Sequence, residues 1–217
     1  MSGGPPDGPV RAGGSIEEAV AAALRGELIV MPTDTVYGVG TRPDRPAATG
    51  SLFAAKGRPR DLELPVLVAS PASASDVAVV DERAARLAAE LWPGALTLVL
   101  PRSPESVTWD LGGDPATIGV RVPRHPLALS VLDGTGPLAV TSANRSGEPP
   151  ATTCSELVGV FGDAVSVYLC EDVPLPGRAS TVLDLAHGEP RILREGDVRE
   201  ADIHRILAHP GRILDDT

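Results

Sequence analysis

Glutamine is absent from this chain, and lysine and asparagine occur once each, as Lys56 and Asn144. Biased codon usage accounts for that scarcity. It does not account for the position of the survivors, each of which lies in a short motif rich in glycine and hydroxyls. No apolar run approaches the roughly 20 residues that span a bilayer, so no membrane-spanning helix is expected. The opening stretch MSGGPPDGPVRAGG has neither a basic start nor an apolar core, so no signal peptide is expected either. Cys154 and Cys170 show no CxxC or Cys/His spacing. They read as unlinked, buried thiols behaving as small hydrophobes in a reducing cytoplasm. A basic surplus is also missing, since the net charge is −10. Phosphate neutralisation supplies most of the affinity of a sequence-independent nucleic-acid binder, so strong binding of that kind is not expected. An anion would have to be held in a local basic pocket, which suits a small phosphate or carboxylate ligand better than a long polyanion.

Familiar catalytic signatures fail in detail. Gly50 to Gly57 has the outline of a P-loop, but Ala55 replaces its second glycine and Gly57 its magnesium-binding hydroxyl. Gly38-Val39-Gly40 lacks the third glycine of a dinucleotide fingerprint, and there is no G-x-S-x-G or HExxH.

What is present fits one domain of 217 residues with an adequate hydrophobic core. Residues 1–12 read as a flexible tail, 13–209 as the domain and 210–217 as a second tail. Ser15-Ile16-Glu17-Glu18 is a capping box that opens a helix to Arg25, with Gly26 as its stop. A strand over 27–31 leads into a loop over 33–43, and a helix with Pro46 in its first turn runs to Lys56. Further helices are expected over 81–91, 125–132 and 199–208. Another follows the capping box Thr153-Cys154-Ser155-Glu156. Strands are expected over 64–69, 95–100, 116–122, 138–141, 165–169, 181–185 and 191–193. Helices and strands alternate first and strands crowd later, which predicts an α/β domain around a mixed, partly parallel sheet.

The candidate site is distributed over strand ends. Thr33 and Thr35 follow one strand, Arg121 closes another, and Ser142 and Asn144 follow a third. Ser180 and Thr181 open a fourth, and Arg194 closes a fifth. If these ends converge on one sheet edge, they line a cavity with hydroxyls, guanidinium groups and the ammonium of Lys56. Arginine forks clamp carboxylate or phosphate, and lysine supplies a compact charge. That chemistry suits phosphoryl or nucleotidyl transfer, where positioning and charge stabilisation do most of the catalysis.

The motifs PTDTVYGVG, KGRP, VRVPRHPLA, TSANRSGEPPATT, STVLDL and ILREG stand in this order from about Gly13 to Arg199. Together they resemble the YrdC-like domain of threonylcarbamoyl-AMP synthases, in the short form without an extra C-terminal domain. The resemblance implies a twisted sheet flanked by helices around a large electropositive cavity. It implies formation of threonylcarbamoyl-AMP and pyrophosphate from L-threonine, bicarbonate and ATP, for threonylcarbamoyladenosine at position 37 of tRNA. Carried over, it assigns Thr33, Thr35, Arg121, Thr141 and Ser180 to threonine. It assigns Lys56, Arg58, Arg60, Ser142, Asn144 and Arg194 to ATP, with Lys56 and Arg58 catalytic. Mg2+ would enter with ATP, with no protein ligand assigned to it, and proteins of the tRNA-modification pathway are candidate partners.

Two departures stand out. KGRPRDLELPVLVA is two residues longer before its proline than the family's KGRPxxNPLIVH and lacks the histidine, and Ala179 stands where an acidic residue often precedes STV. Two alternatives remain: an RNA-binding module without catalysis, and a carbamoyl-adenylate enzyme of the hydrogenase-maturation type. The second needs further domains and zinc motifs that 217 residues do not hold.

Overall fold

The computed structural model describes residues 13–171 and 175–208. The expected tails, and the last residue of the expected domain, lie outside that range. In chain order the helices are α1 (Ile16–Arg25), α2 (Pro46–Lys56), α3 (Pro71–Val77), α4 (Glu82–Leu91), α5 (Pro126–Thr135), α6 (Cys154–Phe161) and α7 (Glu200–Ala208). The strands are β1 (Ile29–Met31), β2 (Gly38–Thr41), β3 (Val66–Leu67), β4 (Leu96–Pro101), β5 (Thr117–Arg121), β6 (Leu138–Ser142), β7 (Val167–Tyr168), β8 (Thr181–Asp184) and β9 (Arg191–Arg194). They form one mixed sheet in the order β7-β1-β2-β6-β3-β5-β4-β8-β9.

Local chemistry explains most boundaries. Both capping boxes form, at Ser15 with Glu18 and at Thr153 with Glu156, so two orphan N–H groups are satisfied at each helix start. Gly26 and Gly57 adopt the left-handed conformation that ends α1 and α2. Pro46 takes the first turn of α2, where its missing N–H costs nothing.

Two expectations are corrected. The stretch 33–43 is not all loop, because Gly38–Thr41 forms β2, antiparallel to both β1 and β6. Its glycines conceal the strand, and contact with β6 demands them: a Cβ on Gly40 would lie 2.6 Å from Val140 Cγ2 and 2.7 Å from the Ala139 carbonyl oxygen. Cys154 and Cys170 are not free thiols but a disulfide closing a separation of 16 residues. Helix α3 was not anticipated. Its proline, serine and alanine composition carries little periodicity, and its start depends on the Ser70 hydroxyl accepting from Ser73 N–H.

Strand alternation divides the core in two. Val30, Val39, Val66, Leu98 and Val120 pack with α2, α4, α6 and α7. Ile29, Met31, Leu67, Leu138 and Val140 pack under α1 and α5. That second helical layer covers the face from β7 to β3, and the core it makes takes in no residue of β4, β5, β8 or β9. The uncovered stretch of the face is where the functional side chains gather.

Candidate functional site

Register places the site residues on this one face. Ser142 pairs with Gly38, and Leu67 pairs with both Leu138 and Arg121. Leu98 pairs with Val120, which sets Thr97 beside Arg121. Thr97 pairs with Val182, and Val182 with Arg194. Because side chains alternate with a period of two, Ser142, Leu67, Arg121, Thr97, Ser180 and Arg194 share a face. They do not share an edge. Arg121 is level with the start of β6 and Ser142 is its end, four residues or roughly 13 Å further along the strand. The cavity therefore lies across the sheet, not at a single rim where strand ends meet.

This cavity, of about 190 Å³, is lined by Thr33, Thr35, Arg58, Arg121, Ser142, Ser180 and Arg194 among others. Thr141 also lines it, although alternation places its side chain on the face opposite that of Ser142. Eight of the eleven residues that the resemblance assigns are thus brought together, while Thr181 turns its hydroxyl away to the Val198 carbonyl.

The loop after β1 is organised by Thr33. Its hydroxyl donates to the Val36 carbonyl at 2.6 Å, accepts from the Thr35 and Val36 N–H groups, and lies 2.9 Å from the Thr35 hydroxyl. Thr33 shapes the turn, and Thr35 meets the next residue in the relay. Arg121, 6% exposed, donates from Nη1 to Thr35 at 3.0 Å, from Nη2 to Asp34 at 2.6 Å and from Nε to the Gly94 carbonyl at 2.9 Å. Three of its five N–H groups are engaged and two remain for an acidic ligand. Asp34 also accepts from the Arg124 N–H at 2.8 Å. Asp34 escaped the sequence reading, although an acid between two hydroxyls in a loop facing arginines was a usable signal.

At the far side, Ser180 lies 2.9 Å from the Thr97 hydroxyl. Arg194 folds onto it, donating to the Ser180 carbonyl and hydroxyl at 2.9–3.1 Å. The chain after β9 can pass this close because residue 196 is glycine, where a Cβ would lie 2.3 Å from the Ser180 carbonyl carbon. Thr97 also escaped the sequence reading, since a threonine inside a buried apolar strand carries no signal of its own.

Lys56 and Asn144 sit beneath the wall rather than in it. Lys56 is 2% exposed, and its Nζ donates to the Ser142 and Asn144 carbonyls at 2.5 and 2.6 Å. Burial, reinforced by Arg58, lowers its pKa to about 8. Asn144 donates from Nδ2 to the Arg145 and Glu148 carbonyls, while its Oδ1 is buried with no hydrogen-bond partner among the described residues. Arg60 does not join the cavity lining. Its guanidinium binds Asp110 at 2.6 Å and lies over the Phe53 ring at 4.7 Å.

Charge is unevenly compensated. Arg58 and Arg194 are destabilised in their charged forms first by burial, and Arg194 adds repulsion on both Arg58 and Arg121. Among the described residues Arg121 has its carboxylate in Asp34, and no carboxylate forms an ion pair with Arg58 or Arg194. Three guanidinium groups around one small cavity, two of them repelled by the third, are complementary to an anion carrying several charges. Hydroxyls and cations of this kind bind phosphate and carboxylate oxygens, not a metal ion.

Comparison with known proteins identifies the family. The profile of the Sua5, YciO and YrdC proteins, described as "Telomere recombination", matches residues 21–196. A Mycobacterium leprae protein, provisionally named threonylcarbamoyl-AMP synthase, is 44% identical over 193 residues, covering 88% of this chain and 87% of the relative. The threonylcarbamoyl-AMP synthase of Bacillus subtilis is 33% identical over 88% of this chain and 56% of its own. Among solved structures, Pyrococcus abyssi Sua5 complexed with L-threonine superposes with a TM-score of 0.80 at 34% identity, over 88% of this chain and 57% of that one.

Proposed function

The chain belongs to the Sua5, YciO and YrdC family, and from that premise we propose that it is an L-threonylcarbamoyladenylate synthase. It converts L-threonine, bicarbonate and ATP into threonylcarbamoyl-AMP and pyrophosphate, supplying the group transferred to position 37 of tRNA. The observation that carries this reading is the cationic face itself, with one buried guanidinium organised by Asp34 and two that form no ion pair with a carboxylate among the described residues.

The residues divide the labour. The two remaining N–H groups of Arg121 take the threonine carboxylate, and the Ser180–Thr97 hydroxyl pair lies within the same cavity for the substrate's own hydroxyl. Arg58 and Arg194 take the triphosphate. The threonine amine attacks the carbon of bicarbonate, forming the N–C bond and releasing water, and gives a carbamate. A carbamate oxygen then attacks the α-phosphorus in line, and the bond to the β-phosphate oxygen breaks. Negative charge grows on departing pyrophosphate, where fixed guanidinium groups stabilise it without reorganising. Mg2+ enters as the counter-ion of ATP and is part of the substrate. Lys56 holds the Ser142 and Asn144 carbonyls, so it braces the ATP wall from beneath and adds its charge to that side of the cavity. We assign the reaction to the cytoplasm on the ground of its ATP substrate and tRNA-directed product, with tRNA as the final acceptor and proteins of the tRNA-modification pathway as candidate partners. Among the described residues no helix is long and apolar enough to cross a membrane.

The test is pyrophosphate release from ATP, with threonine and bicarbonate each omitted in turn. Release should require both. Release indifferent to threonine would sink this reading, and salt-sensitive RNA binding without turnover would favour a binding module.

A further inference from the structure

The segment after Arg58 is docked, and it holds that arginine. Arg58 donates from Nε to the Leu62 carbonyl at 3.1 Å and from Nη2 to the Glu63 carbonyl at 2.8 Å. The segment is seated in turn on residues 110–113. Leu64 N–H donates to the Leu111 carbonyl at 2.8 Å, and Gly113 N–H to the Arg60 carbonyl at 2.8 Å. Gly112 and Gly113 have φ of +71° and +60°. A Cβ at Gly112 would lie 2.5 Å from the Arg60 carbonyl oxygen, and one at Gly113 would lie 2.7 Å from Glu63 Cβ. Paired glycines are what allow so close a seam.

Glu63 closes the seam, and its Oε1 is buried with no hydrogen-bond partner among the described residues. The groups facing it are Arg102 just beyond β4, Asp114 after the turn and the Gly119 backbone on β5. Arg102 is held in place by the Ser106, Trp109 and Thr117 carbonyls. Of the neighbouring charges, Arg60 and Asp110 pair with each other, and Asp61 acts on Arg58.

We propose that Glu63 is a positioning residue for Arg58: its carboxyl anchors the 60–65 segment against β5, and two carbonyls of that segment aim the guanidinium at nucleotide phosphate. The proposal rests on the ATP role assigned to Arg58 above. Burial pushes the Glu63 carboxyl up to about 7, with Asp114 acting in the same direction and Arg102 and the Gly119 backbone opposing. The neutral carboxyl is therefore the form that fits the seam. As pH rises through about 7, ionisation puts a charge there whose Oε1 has no partner, and the grip on Arg58 loosens.

The test measures ATP and threonine dissociation constants by calorimetry for wild type, Glu63→Gln, Glu63→Ala, Arg58→Ala and the Glu63→Ala/Arg58→Ala pair. Measurements run from about pH 6 to about pH 8, across the Glu63 titration. ATP should bind wild type more weakly as pH rises through that range, and Glu63→Gln should flatten the dependence at near wild-type affinity. Glu63→Ala should weaken ATP binding roughly tenfold with threonine binding unchanged, and should add nothing once Arg58 is alanine. An undiminished Glu63→Ala effect in the Arg58→Ala background overturns the positioning role. So does an equal loss of threonine affinity, or a pH profile that Glu63→Gln leaves intact. These readouts need no turnover, so they stand apart from a failure of the proposed reaction, which the omission experiment detects.

Discussion

Lys56 and Asn144, the single lysine and single asparagine of the chain, touch: Nζ of one lies 2.6 Å from the carbonyl oxygen of the other. The lysine reaches from the end of α2 and the asparagine follows β6, 88 residues later. Their bond, with that to the Ser142 carbonyl, fixes the turn that carries the Ser142 wall of the cavity. Lys56→Ala removes a buried side chain and its bonds to two carbonyls, of which that of Ser142 keeps the Asn144 N–H at 3.0 Å, and should cost roughly 2–5 kcal/mol of stability. Chemical denaturation would show it, and a variant as stable as wild type would deny the bracing role.

Asp34 is expected to matter as much as the arginine it holds. The Asp34–Arg121 pair is 2.6 Å apart, with side chains 15% and 7% exposed. Removing one partner of a buried pair typically costs about 3–5 kcal/mol. Asp34→Ala should therefore lower the melting temperature and weaken threonine binding more than ATP binding. Equal weakening of both ligands would count against Arg121 as the carboxylate site.

His187 supplies a pH-dependent clasp. Its Nδ1 lies 2.9 Å from Asp184 and its Nε2 3.2 Å from Asp114, and hydrogen bonds to these two carboxylates raise its pKa above the ordinary 6.5. A raised folded-state pKa means that the stabilisation is complete below the unfolded value and is lost as pH rises through the folded one. Thermal melting from about pH 6 to about pH 8 should show a decline that His187→Ala reduces. Glu63 contributes a fall of the same sign at lower pH, from its ordinary 4.5 to about 7, so the difference between the two proteins isolates His187.

The Cys154–Cys170 disulfide joins the start of α6 to the chain just after β7. Closing a loop of 16 residues removes unfolded-state entropy, equivalent to about 3 kcal/mol on the chain-entropy model. Reduction, or Cys154→Ser, should lower stability by about that amount, read from denaturant titrations with and without a thiol reductant. Identical curves for protein shown by mass to be oxidised and reduced would contradict it.

The parts of this fold that were legible carry their signal locally. Both capping boxes, the glycine stops of α1 and α2 and the amphipathic run of α4 follow from neighbouring residues alone. The parts that were not legible depend on distant partners. Strand β2 reads as a glycine loop until Val140 is seen packed where its side chains would be. The cysteines look independent until α6 and β7 bring them together. The site followed the same rule. Its arginines and hydroxyls were recoverable from motif order, whereas Arg60 turned aside because Asp110 and Phe53 wait on elements that the motif does not mention. Thr97 and Asp34 became visible only through the partners that register and packing gave them.

The sharing of one sheet face by residues from β5, β6, β8 and β9 has a consequence for the chain during its synthesis. Arg194 packs on Ser180 across the last antiparallel pair, and β8 in turn pairs with β4. A nascent chain can form β1, β2 and β6, and even the Arg121–Asp34 pair, while the β8 and β9 part of that face is still inside the ribosome. The proposed triphosphate grip is complete only after Arg194 has emerged, so nucleotide binding should appear late and abruptly along the growing polypeptide.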